Sequence, residues 1–190
     1  LYHDTIGKFI TAFFSSSVSR SAGFNTVDYS QLHIPTILFI ILFMWIGGSP
    51  VSTGGGIKTS TFAIAVLNFI SIVRGKKTIE VFNREISENS IRKAFATIIL
   101  SFFSIGVGAF LISIFDKDIS ILKIVFECVS AYGTVGLSLG ITPELSIVGK
   151  AIICLLMFIG RITLLTVLIA FIKQAKQLNY SYPSEEILIN

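Results

Sequence analysis

One short pattern occurs twice in the chain, 113 positions apart and in register without a gap. Phe13, Ser17, Gly23, Leu32 and the run Met44-Trp45-Ile46-Gly47 recur as Phe126, Ser130, Gly136, Leu145 and Met157-Phe158-Ile159-Gly160. In each copy a short apolar segment leads to a glycine. A long apolar segment follows, with a Met-aromatic-Ile-Gly break near its middle. A repeat of this length constrains the fold strongly, because both copies must reach the same local structure. Each copy predicts a half-helix, a tight loop and a membrane helix. Interrupted hydrophobic segments at matching positions of a repeat point to an ion or solute site.

The apolar residues are too many and too clustered for water. They make up 53% of the 190 residues, and only 14% are charged, against about 25% charged in an ordinary globular domain. Ala94 to Phe115 holds no charge, Ala151 to Ile172 holds only Arg161, and Ile34 to Val73 holds only Lys58. Roughly 20 apolar residues span a bilayer, so three membrane-spanning helices are predicted. A soluble core helix would account for one such run but not for three.

Charge sets the predicted orientation. Arg74, Lys76, Lys77, Arg84, Arg92 and Lys93 face Glu80, Glu85 and Glu88 between the first two spans. That basic excess predicts a cytoplasmic loop. Asp116, Lys117, Asp118 and Lys123 leave the next loop nearly neutral, as suits the outside, and Lys173 and Lys176 return to the inside. The basic run is short and flanked by membrane helices, so nucleic acid is not expected as a partner. Cys128 and Cys154 lie in apolar segments and are read as small hydrophobes. No signal peptide is expected, since Leu1 is not Met and no basic flank precedes an apolar core. The chain opens directly in a half-helix and reads as a fragment.

The first half-helix is placed at Thr5 to Val18 and ends in Ser15-Ser16-Ser17; the second is placed at Ser120 to Ala131. The loops after them read Ser19-Arg20-Ser21-Ala22-Gly23-Phe24-Asn25-Thr26 and Ala131-Tyr132-Gly133-Thr134-Val135-Gly136-Leu137-Ser138. Non-helical backbone at membrane depth survives only where protein buries it or it lines water. A glycine in such a loop lets several carbonyls turn to one axis, where they replace the water shell of a cation. The stretch Gly47 to Gly56 has five glycines and Pro50, which no regular helix holds. It is read as a flexible intramembrane plug. It is not a nucleotide loop, because Ile57 separates Gly56 from Lys58.

The stretches SRSAGFNTVD, GGSPVSTGGGIKTSTFA, RGKK, FECVSAYGTVGLSLGITPELS and MFIGRITLLT together resemble the Trk/Ktr superfamily of potassium-translocating membrane subunits. The resemblance runs from Ser15 to Lys173. It implies an all-α integral membrane fold of potassium-channel-like helix, pore loop and helix repeats, the second half of a four-repeat pore. Residues 1–73 would be the pore helix, filter loop and broken second helix of repeat three. Residues 74–93 would be the basic cytoplasmic loop, 94–173 a complete repeat four, and 174–190 a cytoplasmic tail.

The same resemblance assigns the filter to Ser21, Ala22, Gly23, Phe24 and Asn25 with Thr134, Val135, Gly136, Leu137 and Ser138. Potassium would meet the carbonyls of Ala22, Gly23, Val135 and Gly136. Ser21 stands where Thr is frequent, and it keeps a hydroxyl there. The gate is assigned to Gly47, Gly48, Gly54, Gly55, Gly56 and Arg161. A central arginine costs at least about 2.5 kcal/mol in a bilayer, so Arg161 is expected to face the interior and hold the glycine carbonyls. Implied partners are a second copy of the full-length chain and a cytoplasmic nucleotide-binding regulatory ring. The nucleotide, ATP/ADP or NAD, would sit on that separate subunit, and no cofactor is expected in this chain. The implied location is the plasma (inner) membrane, with the basic loop and C-terminus inside.

Lys58 is expected only to border the cytoplasmic cavity and solvate a helix end. Asp28 either concentrates cations at the outer mouth or caps a solvated turn. Glu127 is expected to brace the second loop rather than meet the ion. A sodium-permeable cation transporter of the same fold is the nearest alternative reading. A secondary transporter with broken helices would need substrate-binding side chains that these backbone-rich loops lack. An enzyme is not expected: His3 and His33 are the only histidines, and there is no Gly-x-Ser-x-Gly elbow.

Overall fold

The apolar segments fold as helices that stop where serine, glycine and proline collect. In the computed structural model, which describes residues 5–50, 52, 54–76, 78–81 and 84–162, helix α1 (Thr5–Val18) is the first half-helix. A 3₁₀ turn at Tyr29–Gln31 leads into α2 (Ile34–Trp45), which has Pro35 in its first turn, where a missing N–H costs no helical bond. Helix α3 (Thr59–Val73) resumes after the glycine-rich segment. Two antiparallel two-residue strands, β1 (Glu80–Val81) and β2 (Arg84–Glu85), pair Glu80 with Glu85 and Val81 with Arg84. Helices α4 (Glu88–Phe115), α5 (Ile121–Tyr132) and α6 (Ile147–Ile162) complete the described residues.

Helix α4 packs against α5 and α6, α3 packs against α4, and α2 reaches α5. The buried centre is therefore the second copy, with Ile105, Ala109 and Ile112 of α4, Ile124, Phe126 and Cys128 of α5, and Ile153 and Leu156 of α6. Trp45 fastens the first copy to it. Its Nε1 donates to Ser101 Oγ at 3.1 Å, and its ring lies 4.7 Å from Phe102 and edge-on to Phe62. Asp116 opens α6 by accepting from the amide of Ser146 at 2.9 Å and from its hydroxyl at 3.1 Å.

Two expectations are corrected. Helix α4 begins at Glu88 rather than Ala94, so the basic loop 74–93 is partly strand and partly helix. Glu88 suits the positive end of the helix and bonds Arg92 one turn on at 2.7 Å. The Met157-Phe158-Ile159-Gly160 run does not break its helix, because α6 continues through Ile162. The glycine-rich break of the first span falls where it was expected, between α2 and α3. Helix α4 alone among the described residues is long and apolar enough to cross a membrane, at 28 residues or about 42 Å. The first predicted span is split into α2 and α3 by the glycines, and the last predicted span and the tail 174–190 extend beyond the described residues.

The outer surface is rich in large apolar side chains. Phe9, Phe13, Phe39, Phe69, Phe103 and Phe110 are all exposed. An apolar patch this extensive is covered in the cell by lipid or by further protein.

Candidate ion filter and glycine-rich gate

Each half-helix ends in a loop whose amides turn back. The amides of Gly133, Thr134 and Val135 donate to the carbonyls of Val129, Ala131 and Ser130 at 2.8, 3.0 and 2.9 Å. In the first copy the amide of Ala22 donates to the Val18 carbonyl at 3.3 Å, and the Ser19 hydroxyl donates to the Ser16 carbonyl at 2.7 Å. These bonds satisfy carbonyls that a helix end leaves open. The helix C-termini add partial negative charge at the same place.

The two loops share one backbone conformation. Ser21 and Gly23 have φ of 70° and 69°, and Thr134 and Gly136, at the matching repeat positions, have φ of 51° and 90°. In each loop the two left-handed residues are separated by one residue of ordinary φ. Serine and threonine hold this conformation against its usual penalty.

The loops also meet. A methyl added at Gly23 would lie 2.5 Å from the carbonyl oxygen of Val135, and one at Gly136 would lie 3.5 Å from the Cα of Gly23. Ser21 Oγ donates to the Gly133 carbonyl at 3.3 Å. The structure thus brings together the segments that the sequence paired. It buries them unequally: Val135, Leu137 and Leu139 are buried, whereas Ala22, Phe24 and Asn25 are exposed. Val135, Leu137 and Leu139 share one buried cluster with residues of α4, α5 and α6, which no residue of Ala22 to Asn25 joins.

The glycine-rich segment lies against both loops. The amide of Gly55 donates to Thr134 Oγ1 at 2.7 Å, and Gly54 lies beside the Ser21 hydroxyl. Gly47 donates to the carbonyl of Ile57 at 2.8 Å, and Thr59 donates to Gly48 at 3.1 Å, which draws the two ends of the break together. On the far side the amide of Gly56 donates to the carbonyl of Gly160 in α6 at 3.3 Å.

Arg161 is exposed in this chain rather than buried. The buried face of α6 runs through Gly149, Ile153, Leu156 and Gly160, and Arg161 points about 100° away from Gly160. Lys58, expected only to solvate a helix end, donates its ammonium to the carbonyls of Ser52, at 3.1 Å, and Gly54. A signal for this existed. Lys58 is the only charge between Ile34 and Val73, and an ammonium so placed must find acceptors; the nearest are the carbonyls of the loop before it.

Asp28 caps the 3₁₀ turn. Its carboxylate accepts from the Ser30 amide at 3.0 Å, the Ser30 hydroxyl at 2.6 Å and Gln31 Nε2 at 3.1 Å. The Ser30 bonds hold its carboxyl below the usual carboxylate range. Glu127 bonds Ser138 and Thr142, as a brace would. Among the described residues no group of three or more His, Cys, Asp or Glu side chains could hold a metal.

The model of the TrkH family, described as cation transport proteins, matches residues 4–182. The chain is 42% identical over 188 residues to the Ktr system potassium uptake protein D of Bacillus subtilis, covering 99% of this chain and 41% of that protein. It is 34% identical to the potassium/sodium uptake protein NtpJ of Enterococcus hirae, covering 96% of the chain and 42% of the relative. The crystal structure of the potassium transporter TrkH from Vibrio parahaemolyticus shares the fold with a TM-score of 0.75 at 20% identity, over 90% of this chain and 38% of that one. The chain thus spans about two fifths of the length of these relatives. With a family match across nearly its whole length, the chain belongs to the TrkH family of cation transport proteins.

Proposed function

We propose that this chain supplies two of the loops that line a potassium uptake pore, together with the gate beneath them. The observation that carries the reading is the matched pair Gly23 and Gly136: both left-handed, at equivalent repeat positions, and in backbone contact. Carbonyls of Ala22, Gly23, Val135 and Gly136 replace part of the ion's water shell, and neighbouring Ser21, Phe24, Asn25, Thr134, Leu137 and Ser138 fix their aim. The fixed dipoles offset the cost of dehydration without a charged side chain in the path.

Gly47, Gly48, Gly54, Gly55 and Gly56 form the gate. Their segment lies against Ser21 and Thr134 and so obstructs the route away from the filter. Opening requires it to leave Thr134 and Gly160. Lys58 holds the segment's carbonyls from within, and the Gly160 carbonyl holds the Gly56 amide from α6; Arg161, exposed on the adjoining face of α6, would join the gate only from the side where the rest of the full-length pore packs. A nucleotide-binding ring docking on residues 74–93 would act on this gate through α3 and α4, in a homodimer of the full-length protein. In favour of that docking, the segment presents Arg84 and Arg92 exposed.

The test is ion uptake by the full-length protein in cells lacking their own potassium uptake. Gly23→Ser should lower the potassium-to-sodium uptake ratio, because its side chain meets the Val135 carbonyl. An unchanged ratio at normal membrane levels would refute the filter reading. One relative is named a potassium/sodium uptake protein, so a wild-type ratio near one would favour the sodium-permeable alternative.

A further inference from the structure

Glu127 is the one acidic or basic side chain that is buried among the described residues, with 6% of its surface exposed. It lies in the middle of α5, beside the second loop. Both hydroxyls that reach it converge on the same oxygen: Oε1 accepts from Ser138 Oγ and from Thr142 Oγ1 at 3.1 Å. The Ser138 oxygen in turn accepts the amide of Gly140 at 2.9 Å. The carboxylate thereby fixes residues 138–142, which lead out of the loop and contain the left-handed Gly140 (φ 86°).

The repeat makes this arrangement one-sided. The positions equivalent to Glu127, Ser138 and Thr142 are Phe14, Asn25 and Tyr29, which cannot form a carboxylate with two hydroxyl donors. Asn25 is exposed, and the first loop is instead tied at its outer end by Asp28. Burying a carboxylate among apolar helices is costly, and packing alone would be served by a residue like Phe14. A charge-assisted bond to each hydroxyl gives a short, directional tether that an apolar residue cannot.

We propose that Glu127 is a positioning residue for ion selection: it holds the second loop, and not the first, in the geometry that separates one cation size from another. This role rests on the filter reading proposed for Gly23 and Gly136. A filter discriminates only if its oxygens resist collapse around a smaller ion. The Glu127–Ser138–Thr142 tether supplies that resistance at the outer end of the loop, and the amide bonds to α5 supply it at the inner end.

The experiment measures KM and Vmax for potassium and sodium in the full-length protein with Glu127→Ala, Glu127→Gln, Ser138→Ala and the Glu127→Ala/Ser138→Ala pair. Glu127→Ala should lower the potassium-to-sodium ratio of Vmax/KM about tenfold, the scale of one lost charge-assisted bond. Glu127→Gln keeps an acceptor oxygen and should recover most of the ratio, and the pair should be no worse than Glu127→Ala. If Glu127→Ala does not reach the membrane, Ser138→Ala decides: it should lower the ratio in the same direction. A fall in Vmax with the ratio unchanged would make Glu127 a packing residue and overturn the inference. Gly23→Ser, run alongside, separates the two ideas: a ratio lost there but kept in the Glu127 and Ser138 variants refutes only the tether.

Discussion

The amide of Gly55 and the hydroxyl of Thr134 meet at 2.7 Å, and that bond ties the glycine-rich segment to the second loop. Thr134 is left-handed at φ 51°, and its hydroxyl lies on the side from which the segment approaches. A methyl at Gly55 would fall 2.7 Å from Thr134 Cγ2 and 3.0 Å from the Gly160 carbonyl. Gly55→Ala should therefore push the segment off both neighbours. The expected outcome is a rise in potassium Vmax of about threefold or more, as roughly 1 kcal/mol of gate contact is lost. Initial uptake rates in the full-length protein check it, and Thr134→Val should act in the same direction more weakly.

Lys58 offers a second handle on the same element. Its ammonium bonds two segment carbonyls, those of Ser52 and Gly54, from a half-exposed position. Partial solvation weakens such a bond, leaving about 1 kcal/mol. Lys58→Met keeps the stem and removes the donors, so uptake should rise about fivefold at saturating potassium. Lys58→Arg should stay near wild type. If neither variant changes Vmax, the lysine only solvates the segment.

The outline of both copies was legible because the 113-residue repeat fixed it. Half-helices, loop positions and the meeting of Gly23 with Gly136 all derive from one duplicated unit. The divergences were hidden for a physical reason. Met44-Trp45-Ile46-Gly47 and Met157-Phe158-Ile159-Gly160 are nearly the same string, yet only the first ends a helix. The residues immediately C-terminal decide: Gly48-Ser49-Pro50 cannot continue a helix, and Arg161-Ile162 can. Arg161 drew attention because a lone charge in an apolar run is costly, and the same rule applied to Lys58 would have pointed to the segment carbonyls. The strand pair Glu80–Val81 and Arg84–Glu85 left no alternating pattern long enough to read.

Two roles are distinguishable for Asp28, as a cap of the turn that follows the first loop or as a concentrator of cations. Its oxygens are taken up by Ser30 and Gln31, and those bonds hold its carboxyl below the usual range. A depressed carboxyl contributes stability above its unfolded pKa and loses it as pH falls through the lowered folded value. The turn should thus stay capped at neutral pH and release only in acid. Asp28→Asn keeps an acceptor oxygen, so potassium KM at neutral pH should move by less than about twofold. A KM raised severalfold, and restored at low ionic strength, would mean that the carboxylate concentrates cations instead.

Gly160 is where the repeat was put to a new use. A methyl there would overlap the carbonyl oxygen of Tyr132, the last residue of α5, and lie 2.7 Å from its carbonyl carbon. Neither partner is a flexible side-chain end, so α5 and α6 would have to separate at the point where the second loop begins. Gly160→Ala should destabilise the full-length protein by about 1–3 kcal/mol despite alanine's better helix propensity. Gly106 in α4 is the control, because a methyl there meets no described atom within 4 Å. Gly106→Ala should be neutral or stabilise by up to about 1 kcal/mol. The midpoint of thermal unfolding in detergent should fall for Gly160→Ala and hold or rise for Gly106→Ala. Equal shifts would mean that the contact of Gly160 with Tyr132 relaxes without loss, and that the glycine serves the approach of Gly56 to α6 alone.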